Sequence, residues 1–311
     1  MRRCQSIMRL KSVRALALLV TSLFVVTCSG DKTTQPPPGP TQLVFKISPG
    51  TNTAGDSFAP SVVVEVHDAD GNLVSDFTST VALTLVTNPG SGTLSGTTSL
   101  NAVSGVATFS NLSINKSGSG YKLQATSGTL TAAQSALFDI VAGPAAKLTF
   151  SNLPASIQAG VPFTVTATAL DNLDNIATDF TGQLTLLLNA TGGAILSGNN
   201  IITAVGGVAS FTNLSIDKVG NAFTFSVTSG GLGGGTSSPF TVNPGPPTDL
   251  VISTQPTNSV AGAVISSVGV TVHDNMGNVA TSFSGSVCLA ITNGTGSAGA
   301  TLGGTTCVNA A

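Results

Sequence analysis

A period of 103 residues constrains this chain more than any other feature. "VHDADGNLVSDFTSTVAL", starting at Val66, returns as "ALDNLDNIATDFTGQLTL" at Ala169 and as "VHDNMGNVATSFSGSVCL" at Val272. Asp68, Asp171 and Asp274 are each 103 residues apart, as are Asn72, Asn175 and Asn278. A second block, "SGVATFSNLSI" at Ser104, recurs as "GGVASFTNLSI" at Gly206, displaced by 102. Three segments also open on Gly-Pro: "GPTQLVF", "GPAAKLTF" and "GPPTDLVI". Self-similarity in several registers means a tandem array of one structural unit. The spacing predicts repeats over 40–143, 144–246 and 247–311, the last with 65 residues against a period of 103. It stops at "TTCVNAA", before the segments equivalent to Val106–Ile114, Tyr121–Thr126 and Ala136–Val141. We therefore expect the third repeat to be incomplete and unstable alone, and the chain to be a fragment of a longer protein.

Within each repeat, apolar residues alternate with polar ones. Leu43, Phe45 and Ile47 do so, as do Val62, Val64 and Val66, then Val81, Leu83 and Leu85. Period two is the signature of a half-buried strand, and turn residues interrupt it at short intervals. About 100 residues and roughly seven strands predict an all-β fold of tandem immunoglobulin-like sandwiches. The antibody Cys-Trp-Cys core is absent, because the chain has no Trp.

The repeat also settles how to read His67, one of only two histidines. Its counterparts are Leu170 and His273, so the middle repeat has no imidazole there. What persists is an Asp, a turn residue and an Asn, the chemistry of a tight turn needing positive φ. A calcium loop is excluded by Gly71, two residues early, and by the missing Glu at the twelfth position. His67 is expected to face solvent from a strand. Gly-x-Ser-x-Gly, His-Glu-x-x-His, Cys-x-x-Cys and Gly-x-x-x-x-Gly-Lys patterns are all missing. We expect no catalytic residues, no metal ligands and no cofactor; the chain does not read as an enzyme.

The N-terminus carries an address. Arg2, Arg3, Arg9, Lys11 and Arg14 precede an apolar run from Ala15 to Val26, too short to span a bilayer as a helix. Residues 1–27 read as an export signal, and the polar, proline-rich stretch 28–39 as a tether. Val25-Val26-Thr27-Cys28 resembles a bacterial lipobox, which implies lipidation of Cys28 and a membrane anchor; Thr27 and Val25 depart from the usual residues. Beyond Cys28, six lysines face thirteen acidic groups, a net of −7. Such a chain lacks the basic patches of a nucleic-acid binder.

The "D-x-x-G-N" turn at Asp68–Asn72, the "GVATFSNLSI" block at Gly105 and its continuation "GSGYKLQATSG" resemble bacterial immunoglobulin-like domains of invasin- and intimin-type surface proteins. That resemblance covers residue 40 to the end. It implies an exported stalk or adhesin at the cell surface or outer membrane, with a protein or glycan as its surface ligand. The alternative is the non-catalytic N-terminal part of a larger secreted enzyme, such as one acting on polysaccharide. Finally, repeat alignment places Cys288 at the position of Ala82 and Cys307 at that of Ser99, on consecutive strands and the same outward face. In an exported protein these two cysteines are expected to form a disulfide.

Overall fold

The computed structural model describes residues 38–311. The expected signal, Cys28 and most of the tether lie outside the described residues.

In the first repeat the strands are β1 (Gln42–Ile47), β2 (Asn52–Thr53), β3 (Val62–His67), β4 (Thr80–Thr87), β5 (Leu94–Ser95) and β6 (Ser99–Asn101). They continue with β7 (Val106–Phe109), β8 (Ser113–Ile114), β9 (Gly118–Thr126), β10 (Ala133–Gln134) and β11 (Phe138–Val141). One sheet has the order β1-β3-β7 and the other β2-β11-β9-β4-β6. The chain thus crosses from one sheet to the other between β1 and β2. Pairings between these strands are antiparallel except β2 with β11, where Asn52 faces Ile140 and Thr53 faces Val141.

The alternation read from the sequence is what closes this sandwich. Val62, Val64 and Val66 are fully buried, while Val63, Glu65 and His67 point to the other face of β3. Phe109 extends this buried face from the neighbouring β7, and Tyr121 and Leu123 complete the core from β9 in the facing sheet. Tyr121 stacks on Phe138 with centroids 5.9 Å apart, and its hydroxyl donates to the Lys116 carbonyl at 2.8 Å. Burying a phenol is tolerable because that one polar atom is bonded.

The second repeat has β12 (Lys147–Ser151), β13 (Ser156–Gln158), β14 (Phe163–Leu170), β15 (Gln183–Asn189) and β16 (Leu196–Ser197). It ends with β17 (Ile201–Thr203), β18 (Val208–Ile216), β19 (Gly220–Thr228), β20 (Gly235–Thr236) and β21 (Phe240–Asn243). Its sheets, β12-β14-β18-β16 and β13-β21-β19-β15-β17, repeat the first plan, including a parallel pair between β13 and β21. Phe225, fully buried, stacks on Phe240 at 4.9 Å. A buried serine sits beside this core in both repeats: Ser135 Oγ accepts the Leu123 amide, and Ser237 Oγ accepts that of Phe225.

The third segment contains β22 (Pro247–Thr254), β23 (Gly269–Asp274), β24 (Ser286–Cys288) and β25 (Cys307–Asn309). They form two separate two-stranded sheets. Val270, Val287, Leu289 and Val308 line an open cleft of about 540 Å³ where the complete repeats have a filled core.

Phe225 makes the packing argument testable. Phe225→Ala is expected to lower stability by about 3–5 kcal/mol, the usual cost of deleting a buried ring. Urea denaturation followed by circular dichroism reads this, since the chain has no Trp to report by fluorescence. A loss below about 1 kcal/mol would contradict the packing described.

Candidate functional site

The turn singled out by the repeat is built around a buried carboxylate. Asp68 Oδ1 accepts the amides of Asp70 at 2.9 Å and Asn72 at 2.8 Å, and the Asp68 amide donates to the Asn72 carbonyl. Asp171 Oδ1 does the same with Leu173 and Asn175, and Asp274 Oδ1 with Met276 and Asn278. This is a short side chain standing in for backbone in a turn. The residue before each Asn has positive φ: Gly71 at 83°, Asp174 at 62° and Gly277 at 79°. The carboxylate oxygens therefore serve as acceptors for N–H groups. Among the described residues, no group of three His, Cys, Asp or Glu is placed to hold a metal ion.

In the second and third repeats the same turn reaches the repeat before it. Asp171 Oδ2 accepts the amide of Gly143, in the linker, at 2.9 Å; Asp274 Oδ2 accepts that of Gly245 at 2.8 Å. Asn175 then bonds twice across the boundary, its Nδ2 donating to the Asn115 carbonyl and its Oδ1 accepting the Ser117 amide. Asn278 makes the equivalent pair with the Asp217 carbonyl and the Val219 amide. Lys116 Nζ adds a bond to the Leu173 carbonyl at 2.6 Å. Each joint thus clamps the turn between the linker and the segment just before β9 or β19. Asn175 and Asn278 are 4% and 7% exposed, whereas Asn72, with no repeat docked on it among the described residues, is exposed.

Burial works against ionisation of Asp171. The hydrogen bonds from Asn175, Gly143 and Leu173 outweigh it and hold the carboxyl below the usual carboxylate range. At Asp274 burial is likewise overcome by the Asn278 side chain and the Gly245, Asn278 and Met276 amides. Asp68 is lowered too, chiefly by the Asn72 amide.

Sequence reasoning found the turn and missed the joint. His67 lies in β3 on its outer face, as expected, but its side chain is only 17% exposed, with Nε2 3.0 Å from Glu65 Oε2. His273 differs again, its ring lying between Thr271 Oγ1 and the Gly277 carbonyl. The structure brings Cys288 and Cys307 together as a disulfide across β24 and β25, with Cα atoms 4.1 Å apart. Ala82 faces Ser99 and Thr185 faces Ile201 in the same register of the other repeats.

No protein-family description and no curated protein matches the chain. Among solved structures it is similar to FdeC, an Escherichia coli adhesin, at 19% identity over 78% of this chain and 76% of that one, with a TM-score of 0.42. It is also similar to the Yersinia pseudotuberculosis adhesin InvE, at 17% identity and a TM-score of 0.28. That match covers 65% of this chain and 58% of InvE. For domains 4–9 of the surface layer protein SbsC the identity is 21%, the coverage 70% and 33%, and the TM-score 0.27.

Two outcomes are expected from this geometry. Carboxyls titrating below their unfolded value of about 3.9 contribute stability that is fully present above that pH and is lost as pH falls through the depressed values. Asp171→Ala should therefore cost about 1.5–3 kcal/mol at pH 7, as for hydrogen bonds to a charged group. The gap from wild type should shrink as pH falls below the unfolded carboxyl's value and through the depressed native one. A gap unchanged by pH in urea titrations would refute the assignment. We further propose that the Cys288–Cys307 bridge forms in an oxidising compartment, where it contributes about 3 kcal/mol to its loop. Alkylation before reduction should label neither cysteine and after reduction both; labelling of both without reduction overturns it.

Proposed function

We propose that the chain is an exported cell-surface protein, held by a lipid on Cys28, whose immunoglobulin-like repeats act as a stalk or adhesin. The joints are the observation that carries this reading. A carboxylate, an amide side chain and a linker glycine recur at both boundaries with the same bonding, so each repeat is held against the one before it. Repetition of one joint is how a chain extends a surface at a set spacing without any chemistry of its own. The basic start, short apolar run and lipobox-like cysteine supply the route out of the cell and the anchor. The proline-rich stretch before the first sandwich gives that anchor reach. A protein or glycan displayed outside the cell is the ligand class that suits a surface rich in hydroxyls and amides, with only 8% charged residues.

Metabolic labelling with a fatty acid tests the anchor. Wild-type protein should carry the label and sediment with membranes, while Cys28→Ala should lose the label and be released. Equal labelling of the two proteins, or none in either, would refute lipid attachment. Degradation of the wild type by protease added to intact cells is the expected sign of surface display.

A further inference from the structure

The three turns share their Asp and Asn, but the residue two places after the Asp differs: Asp70, Leu173 and Met276. In the two turns that dock on a preceding repeat, this residue is apolar and sits on a glycine of that repeat. A Cβ built on Gly55 would lie 2.7 Å from Leu173 Cδ1. A Cβ on Gly160 would lie 2.9 Å from Asn275 Oδ1 and 3.0 Å from both Cε and Cγ of Met276. The two glycines occupy the same place in their repeats, following Ala54 and Ala159, with φ of +85° and +71°. Their amides are already spent on the carbonyls of Ile114 and Ile216, at the ends of β8 and β18. Neither seat therefore has a free glycine N–H to offer; the Leu173 side chain fills the first, and Met276 shares the second with Asn275 Oδ1.

We propose that this position is the specificity-determining residue of the joint. An apolar side chain seated on the glycine selects another repeat of this kind as the docking partner, and Asp70 closes the N-terminal end of the first repeat to such docking. A polar group pressed onto Gly55 loses water on that side and finds no amide to replace it. The proposal concerns how repeats choose each other. It stands or falls separately from export and anchoring, which Cys28 tests.

Hydrogen exchange of the full chain reads the joint directly, through the amides of Gly143 and Ser117 that bond to Asp171 and Asn175. Leu173→Asp, which copies the first repeat, and the uncharged Leu173→Asn should each speed exchange at both amides by tenfold or more. The core amides of Ala169 and Phe225, bonded within the second repeat, should not change. Leu173→Met, the residue of the third repeat, should keep wild-type protection. At the other joint, Met276→Asn should release the amides of Gly245 and Val219 in the same way. Protection retained within twofold in Leu173→Asn or Met276→Asn overturns the proposal, as does loss of protection in Leu173→Met. Retention in Leu173→Asp overturns the role given to Asp70.

Discussion

A buried carboxylate must be surrounded by donors, and at each boundary between repeats one of those donors belongs to the linker. Asp171 and Asp274 are 3% and 1% exposed, and both oxygens of each are used. Oδ1 is satisfied by the turn itself; Oδ2 takes an amide from Gly143 or Gly245. The cost of leaving such a charge unpaired ties the path of the linker to the closure of the turn. The asparagine extends the same logic. It bonds to its own aspartate on one side and to the preceding repeat on the other, so the turn and the joint form together.

Most of the sandwich was legible because strand alternation is local. Val62, Val64 and Val66 declare a buried face with no knowledge of what covers it. The turn was legible too, since a residue of positive φ before Asn leaves a mark in Gly71 and Gly277. The joint was not, because its partners are far apart in sequence: Asn175 bonds to Asn115, sixty residues earlier. A trace did exist. A tight turn asks only for the residue before the asparagine, yet the asparagine persists in the middle repeat, where the glycine has become Asp174. The matching segments Asn115–Lys116 and Asp217–Lys218 recur at the other side of the boundary. For His67 only the extent of exposure differed from expectation. Its outward direction follows from the period, but its contact with Glu65, two residues away on the same face, does not.

The buried hydroxyls show how a chain with few charges still specifies its interior. Ser135 and Ser237 each accept an amide from the strand opposite and pass a hydrogen bond to the carbonyl of the next residue. No buried side-chain nitrogen or oxygen lacks a partner among the described residues. The sandwiches are thus ordered by small polar groups placed one at a time, with the aromatic pairs filling the volume between.

The parallel pairing of β2 with β11, and of β13 with β21, has a mechanical meaning. These are the strands by which the chain enters and leaves the second sheet of each repeat, and they lie side by side running the same way. When the two ends of a repeat are drawn apart, the strands slide along one another, and their hydrogen bonds are loaded together instead of opening one after another. A pull along the chain is met in shear by this pair in each of the first two repeats.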